Sequence, residues 1–190
     1  MISSVPRLLR VGGVSMSIDN EVLELLRKLL AKPEKKPGGG VGLEVDSIGP
    51  EQPHGVYVYD AARSKWVLKH VEGDYFKPWE DGVYVVYFDN TKCPACRVQD
   101  LYWYPFVKIF GSTFKSSHYI VILCGWFTRE CDSSIAKGSF QYYDIHASPT
   151  ILLMHVKDGS VKATSKLEGV KKIDELAGEL AKFTEEAGLK

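Results

Sequence analysis

Hydrophobic and polar positions change period several times along the chain, and the changes mark out its elements. From Ile18 to Ala31, Ile18, Val22, Leu25, Leu26 and Leu29 fall on one helical face, which predicts a helix over 18–31. Residues 32–42 are rich in Pro, Lys and Gly and read as a linker. The Gly38-Gly39-Gly40 run lacks the Gly-Lys-Ser/Thr that a phosphate loop needs. Val56–Tyr59 and Trp66–His70, separated by polar residues, predict a hairpin over 55–70.

After Asp74 the pattern becomes more regular. Val83–Phe88 is a short, nearly continuous apolar run, as expected of a strand covered on both faces. Asp89–Lys92 reads as the connection that follows it, and a helical pattern runs from Arg97 towards Phe110. Pro105 is expected to kink or interrupt that helix. Tyr119–Leu123 and Ile151–Val156 predict two more buried strands, with a helix-like or turn-rich segment around Ser133–Tyr143 between them. Asp158-Gly159 signals a hairpin into a strand with alternating Val161, Ala163, Ser165 and Leu167. Beyond Gly169, Val170, Ile173, Leu176, Ala177, Leu180 and Phe183 share one face of a closing helix.

Composition narrows the function classes. The 190 residues include 45% hydrophobic ones, enough for a real core, and equal numbers of basic and acidic residues, 24 each. That balance gives no electrostatic footprint for nucleic acid. No apolar run approaches membrane-spanning length, and Pro6, Arg7, Arg10 and Gly12-Gly13 interrupt any apolar leader in Met1–Val14. The expectation is a cytoplasmic protein without membrane partners, and Met16 is a candidate natural start. Asn and Gln are scarce, a weak hint of a hot environment, where intracellular disulfides are ordinary.

Candidate chemistry centres on Cys93-Pro94-Ala95-Cys96. Two residues between cysteines at the first turn of a helix bring both sulfurs within bridging reach. The first sulfur then sits where orphan N–H groups and the positive helix end favour an anion. Pro94 suits that turn because its fixed φ is helical and its missing N–H would have gone unpaired. An ordinary thiol is only about 3% thiolate at neutral pH; thiols in such motifs are often half ionised or more. Lys92 is a candidate for adding to this effect.

The competing reading is a zinc site completed by Cys124 and Cys131, although their spacing matches paired zinc knuckles poorly. For Cys124, at the end of an apolar strand, a buried thiol is the first reading; a Cys124–Cys131 disulfide is the alternative. Placement between a buried strand and a helix favours redox chemistry over zinc for the first pair. No metal or cofactor is expected. His118, His146 and His155 lack metal-ligand spacing and read as structural or surface residues.

The strand VYVVYF, the CPAC opening a helix, the strand YIVIL and Ser148-Pro149-Thr150 before ILLMHVKDG resemble the thioredoxin superfamily, as do Gly169 and the closing helix. The resemblance covers about 74–190 and implies an α/β thioredoxin-like fold: a central mixed sheet flanked by helices, with residues 1–73 as an N-terminal helix and hairpin extension. It implies a thiol–disulfide oxidoreductase acting on protein disulfides, with a separate reductase or oxidase as partner. Cys93 would be the nucleophile and Cys96 the resolving thiol. Pro149 would be a cis-proline beside the dithiol, and the Ser148 backbone, with Pro94 and Ala95, would meet the substrate. A fold-retaining binding module without catalysis is the other alternative. Lys92-Cys93-Pro94-Ala95-Cys96 departs from the Trp-Cys-Gly-Pro-Cys of typical thioredoxins. The buried aspartate that accepts a proton in thioredoxins would fall at Tyr87, so that role is expected to be absent or moved.

Overall fold

The computed structural model describes residues 40–113 and 116–188. The helix expected over 18–31, and most of the linker expected over 32–42, lie outside them. Seven strands form one sheet: β1 (Glu44–Val45), β2 (Gly55–Asp60), β3 (Lys65–His70), β4 (Gly82–Asn90), β5 (Ser117–Cys124), β6 (Thr150–Lys157) and β7 (Ser160–Glu168). Among the described residues, three helices accompany them: α1 (Pro94–Phe110), α2 (Ser134–Tyr142) and α3 (Ile173–Glu186). The strand order is β1-β3-β2-β5-β4-β6-β7. Only β4 and β5 run parallel; the other pairings are antiparallel, so the sheet is mixed.

All nine residues of β4 are buried, because helices cover both faces of the sheet at its centre. Strand alternation then divides the core. Val83, Val85 and Tyr87 face Trp103, Phe106 and Val107 of α1 and Leu176, Leu180 and Phe183 of α3. Tyr84, Val86 and Phe88 face Ile135, Ala136 and Phe140 of α2. Burying one such side chain contributes roughly 1.5–3 kcal/mol, so the double cover makes β4 a firm strand on which to mount a site.

The expected hairpin forms as β2 and β3, and β2 pairs with β5 from Gly55↔Leu123 to Val58↔Ile120. Residues 55–70 thus share the sheet that carries the dithiol. At the other edge, Asp158 and Gly159 both take positive φ, 54° and 66°, in the two-residue turn between β6 and β7.

Helix α1 continues through Pro105 without interruption. The carbonyl that loses its partner belongs to Leu101, which is 70% exposed, so water can take the place of the missing N–H. Its buried residues, Cys96, Gln99, Trp103, Phe106 and Val107, recur at helical spacing and fix which face meets the sheet. Gln99 ties this helix to the entry of α3: its amide donates to Lys171 O (3.1 Å) and accepts from Lys171 N (2.7 Å). The segment 133–143 resolves into helix α2, capped by the Ser133 hydroxyl, which accepts from Ala136 N at 3.2 Å.

Candidate active site

β4 ends at Asn90, and a tight connection delivers Cys93 to the N-cap of α1. Cys93 N donates to Asn90 O at 3.0 Å, while Thr91 N donates to Cys124 O (2.9 Å) and Lys92 N to Gly125 O (3.1 Å). Cys93 is extended, with φ −95° and ψ 113°, and its sulfur accepts the Cys96 backbone N–H at 3.2 Å. Pro94 occupies the first helical turn, as expected for a residue with no N–H to lose. Both thiols are unbonded to other sulfurs; Cys93 is 4% exposed and Cys96 fully enclosed.

The Ser148–Pro149 peptide bond is cis, and Ser148 lies directly against the dithiol. Cys93 Sγ donates to Ser148 O at 3.6 Å, and Cys96 Sγ lies 2.8 Å from Ser148 Oγ. The fold is thioredoxin-like. The order β4-α1-β5-α2-β6-β7-α3, with the dithiol at the head of α1 and a cis-proline opening β6, establishes it. No protein-family model matches the chain, and no curated protein does. Among solved structures it is similar to a thioredoxin from Aeropyrum pernix, at 16% identity over 70% of this chain and 98% of that one, TM-score 0.46. It is similar also to thioredoxin-2 of the malaria parasite (18% identity, 58% of this chain and 95% of that one, TM-score 0.41). A third is mitochondrial thioredoxin 3 of Saccharomyces cerevisiae (16%, 54% and 80%, TM-score 0.37).

A buried ionic cluster lies beneath the dithiol, and sequence reasoning missed it. Asp89, taken there as part of a connection, is a fully buried residue of β4 on the same face as Tyr87. Arg97 of α1 grips both its oxygens at 2.5 and 2.6 Å and lies 3.1 Å from Asp100 Oδ2. Tyr87, at the position expected for a proton-accepting aspartate, instead donates its hydroxyl to Asp100 Oδ1 (3.1 Å) and Cys96 O (3.2 Å). The buried carboxylate has moved two residues along the strand. Its one sequence signal was an acidic residue between a buried strand and the cysteine pair, with a basic residue one turn into the next helix.

Two carboxylates sharing one guanidinium cannot both be fully compensated. Burial raises the pKa of Asp89 despite the opposing hydrogen bond and charge of Arg97; the Cys96 thiol is close enough to act on it as well. Burial and the neighbouring Asp89 push Asp100 up to about 7. Burial, then the Asp89 charge, raise the Cys96 thiol well above its ordinary value.

The Lys92 ammonium pairs with Glu130, and the side chain is exposed. Pro94 and Ala95 lie at the surface or half-buried at the helix head. Cys124 is buried, but it is not a free thiol: it is bonded to Cys131. Two thiols therefore remain, and the four-cysteine zinc arrangement does not form. The bonded pair closes a loop held by Gly125 N donating to Glu130 O at 2.6 Å, and this loop presents Trp126 beside the Lys92–Cys93 turn. His146 is engaged with Asp144 at the surface. No described helix is long and apolar enough to cross a membrane.

Proposed function

We propose that the protein is a thiol–disulfide oxidoreductase acting on disulfides of other proteins. One observation carries the reading: two thiols share a helix N-terminus, one sulfur accepting a backbone N–H and the other held over a buried carboxylate. The Cys93 thiolate attacks one sulfur of the substrate disulfide. A Cys93–substrate bond forms, the substrate S–S bond breaks, and the leaving thiolate takes a proton. Cys96 then gives its proton towards Asp89 and attacks Cys93 Sγ. This releases the second substrate thiolate and leaves a Cys93–Cys96 disulfide, so two electrons have passed to the substrate. A separate dithiol reductant resets the pair.

In this reading Pro94, Ala95 and the Ser148 backbone meet an extended substrate, and Trp126, 36% exposed, is a further candidate contact. The reading is tested by dithiothreitol-driven reduction of a disulfide-bonded protein. Cys93→Ser is expected to abolish turnover. Cys96→Ser is expected to accumulate a mixed disulfide, because attack survives and resolution does not. Full turnover in both variants would rule the assignment out.

A further inference from the structure

The opposite face of β4 bears a second polar residue at the site, Asn90, and its hydrogen bonds have fixed directions. Asn90 is fully buried. Phe127 N, a backbone group that can only donate, reaches Asn90 Oδ1 at 2.5 Å. That contact orients the amide, because the oxygen must face the donor. The amide nitrogen is then turned to Ser148 Oγ at 2.8 Å, where it too can only donate. With one lone pair of Ser148 Oγ taken by Asn90, the hydroxyl faces Cys96 Sγ, 2.8 Å away, where either atom can be the donor.

We propose that Ser148, through its hydroxyl, is a catalytic residue that stabilises the Cys96 thiolate during resolution, and that Asn90 is the positioning residue that aims this hydroxyl. While Cys96 is a thiol, its S–H can donate to the second lone pair of Ser148. When the proton leaves, the hydroxyl rotates its own hydrogen onto the sulfur, and Asn90 keeps the oxygen in place through the change. Cys96 then attacks Cys93 Sγ: the Cys96–Cys93 bond forms, the bond from Cys93 to the substrate sulfur breaks, and that sulfur leaves as a thiolate. Asn90 is itself held by Phe127, in the loop closed by the Cys124–Cys131 bond, so the loop and the dithiol share one hydrogen-bonded chain. This role rests on the oxidoreductase reading but adds a residue pair to it.

Single-turnover reaction of the reduced protein with dithio-bis(nitrobenzoate) separates the two steps. Attack by Cys93 releases one coloured nitrobenzoate thiolate, and resolution by Cys96 releases a second. A hydrogen bond to an ionised group is worth about ten-fold or more in such a rate. Ser148→Ala is therefore expected to slow the second phase about ten-fold relative to the first, and to move its pH profile upward. Asn90→Asp keeps an oxygen for Phe127 but draws the Ser148 proton to itself, so it should reproduce the defect. Ser148→Thr, which retains a hydroxyl, should restore the second phase.

Other groups acting on Cys96 are Asp89 on the α1 face of β4, the Asn90 backbone, Cys93 at the N-cap and Tyr87 on its carbonyl, with Arg97 and Asp100 beside Asp89. All remain in every Ser148 variant. A Ser148→Ala protein with the wild-type ratio of phases and pH profile would overturn the role, as would Thr behaving like Ala. No second release from the wild-type protein would instead refute the oxidoreductase reading itself.

Discussion

Replacing Asp100 by asparagine removes a titrating group from the buried cluster while leaving an oxygen to accept the Tyr87 hydroxyl. In the folded protein the Asp100 pKa lies at about 7, raised first by burial and then by Asp89. Between the usual carboxylate range and that value, the folded chain keeps a proton that the unfolded chain has released. Stability therefore falls as pH rises through the window, reaching its floor above the folded value. From the ordinary 3.8 to about 7, at about 1.4 kcal/mol per pH unit, the ceiling is about 4 kcal/mol. The Asp100 side chain keeps 16% of its surface, and water there reduces the effect to about 2 kcal/mol.

The assay is urea unfolding of reduced wild-type and Asp100→Asn protein at pH values from 4 to 8. The variant should gain about 2 kcal/mol on the wild type across that range, most of it below neutrality. His118, whose pKa burial lowers, acts in the opposite sense, but it is common to both proteins and cancels in the difference. Asp89, also raised, keeps part of the slope in the variant. Parallel stability curves, offset by a constant, would refute the shared-guanidinium account.

Gly138 of α2 lies against the backbone of the crossing segment: an added Cβ would stand 1.6 Å from Asp74 O, so Gly138→Ala should cost about 1–3 kcal/mol or more in urea unfolding. Gln99→Leu strands the N–H and C=O of Lys171 and should cost about 2–4 kcal/mol; thermal melting with the dithiol reduced checks it.

The sequence alone determined most of what is local. The apolar run of β4, the helical spacing of α1 and α3, the Asp158-Gly159 turn and the cysteine pair at a helix start each announce themselves within a dozen residues. So does Pro94, whose backbone chemistry suits only a few positions. Pro105 misled because its disruption depends on whether the orphaned carbonyl can reach water, which is a matter of which face points outward. Tertiary structure alone decided the polar surroundings of the dithiol. Asp89 and Asn90 are adjacent in sequence and look like the start of a loop. They are buried because Arg97 compensates one from α1, while Phe127 and Ser148 compensate the other from segments brought in by the sheet. Cys124 likewise looked like a core thiol until the loop returned Cys131 to it. A backbone preference or a hydrophobic period is carried by neighbouring residues, whereas a buried polar group is tolerable only with partners, and those partners come from distant parts of the chain.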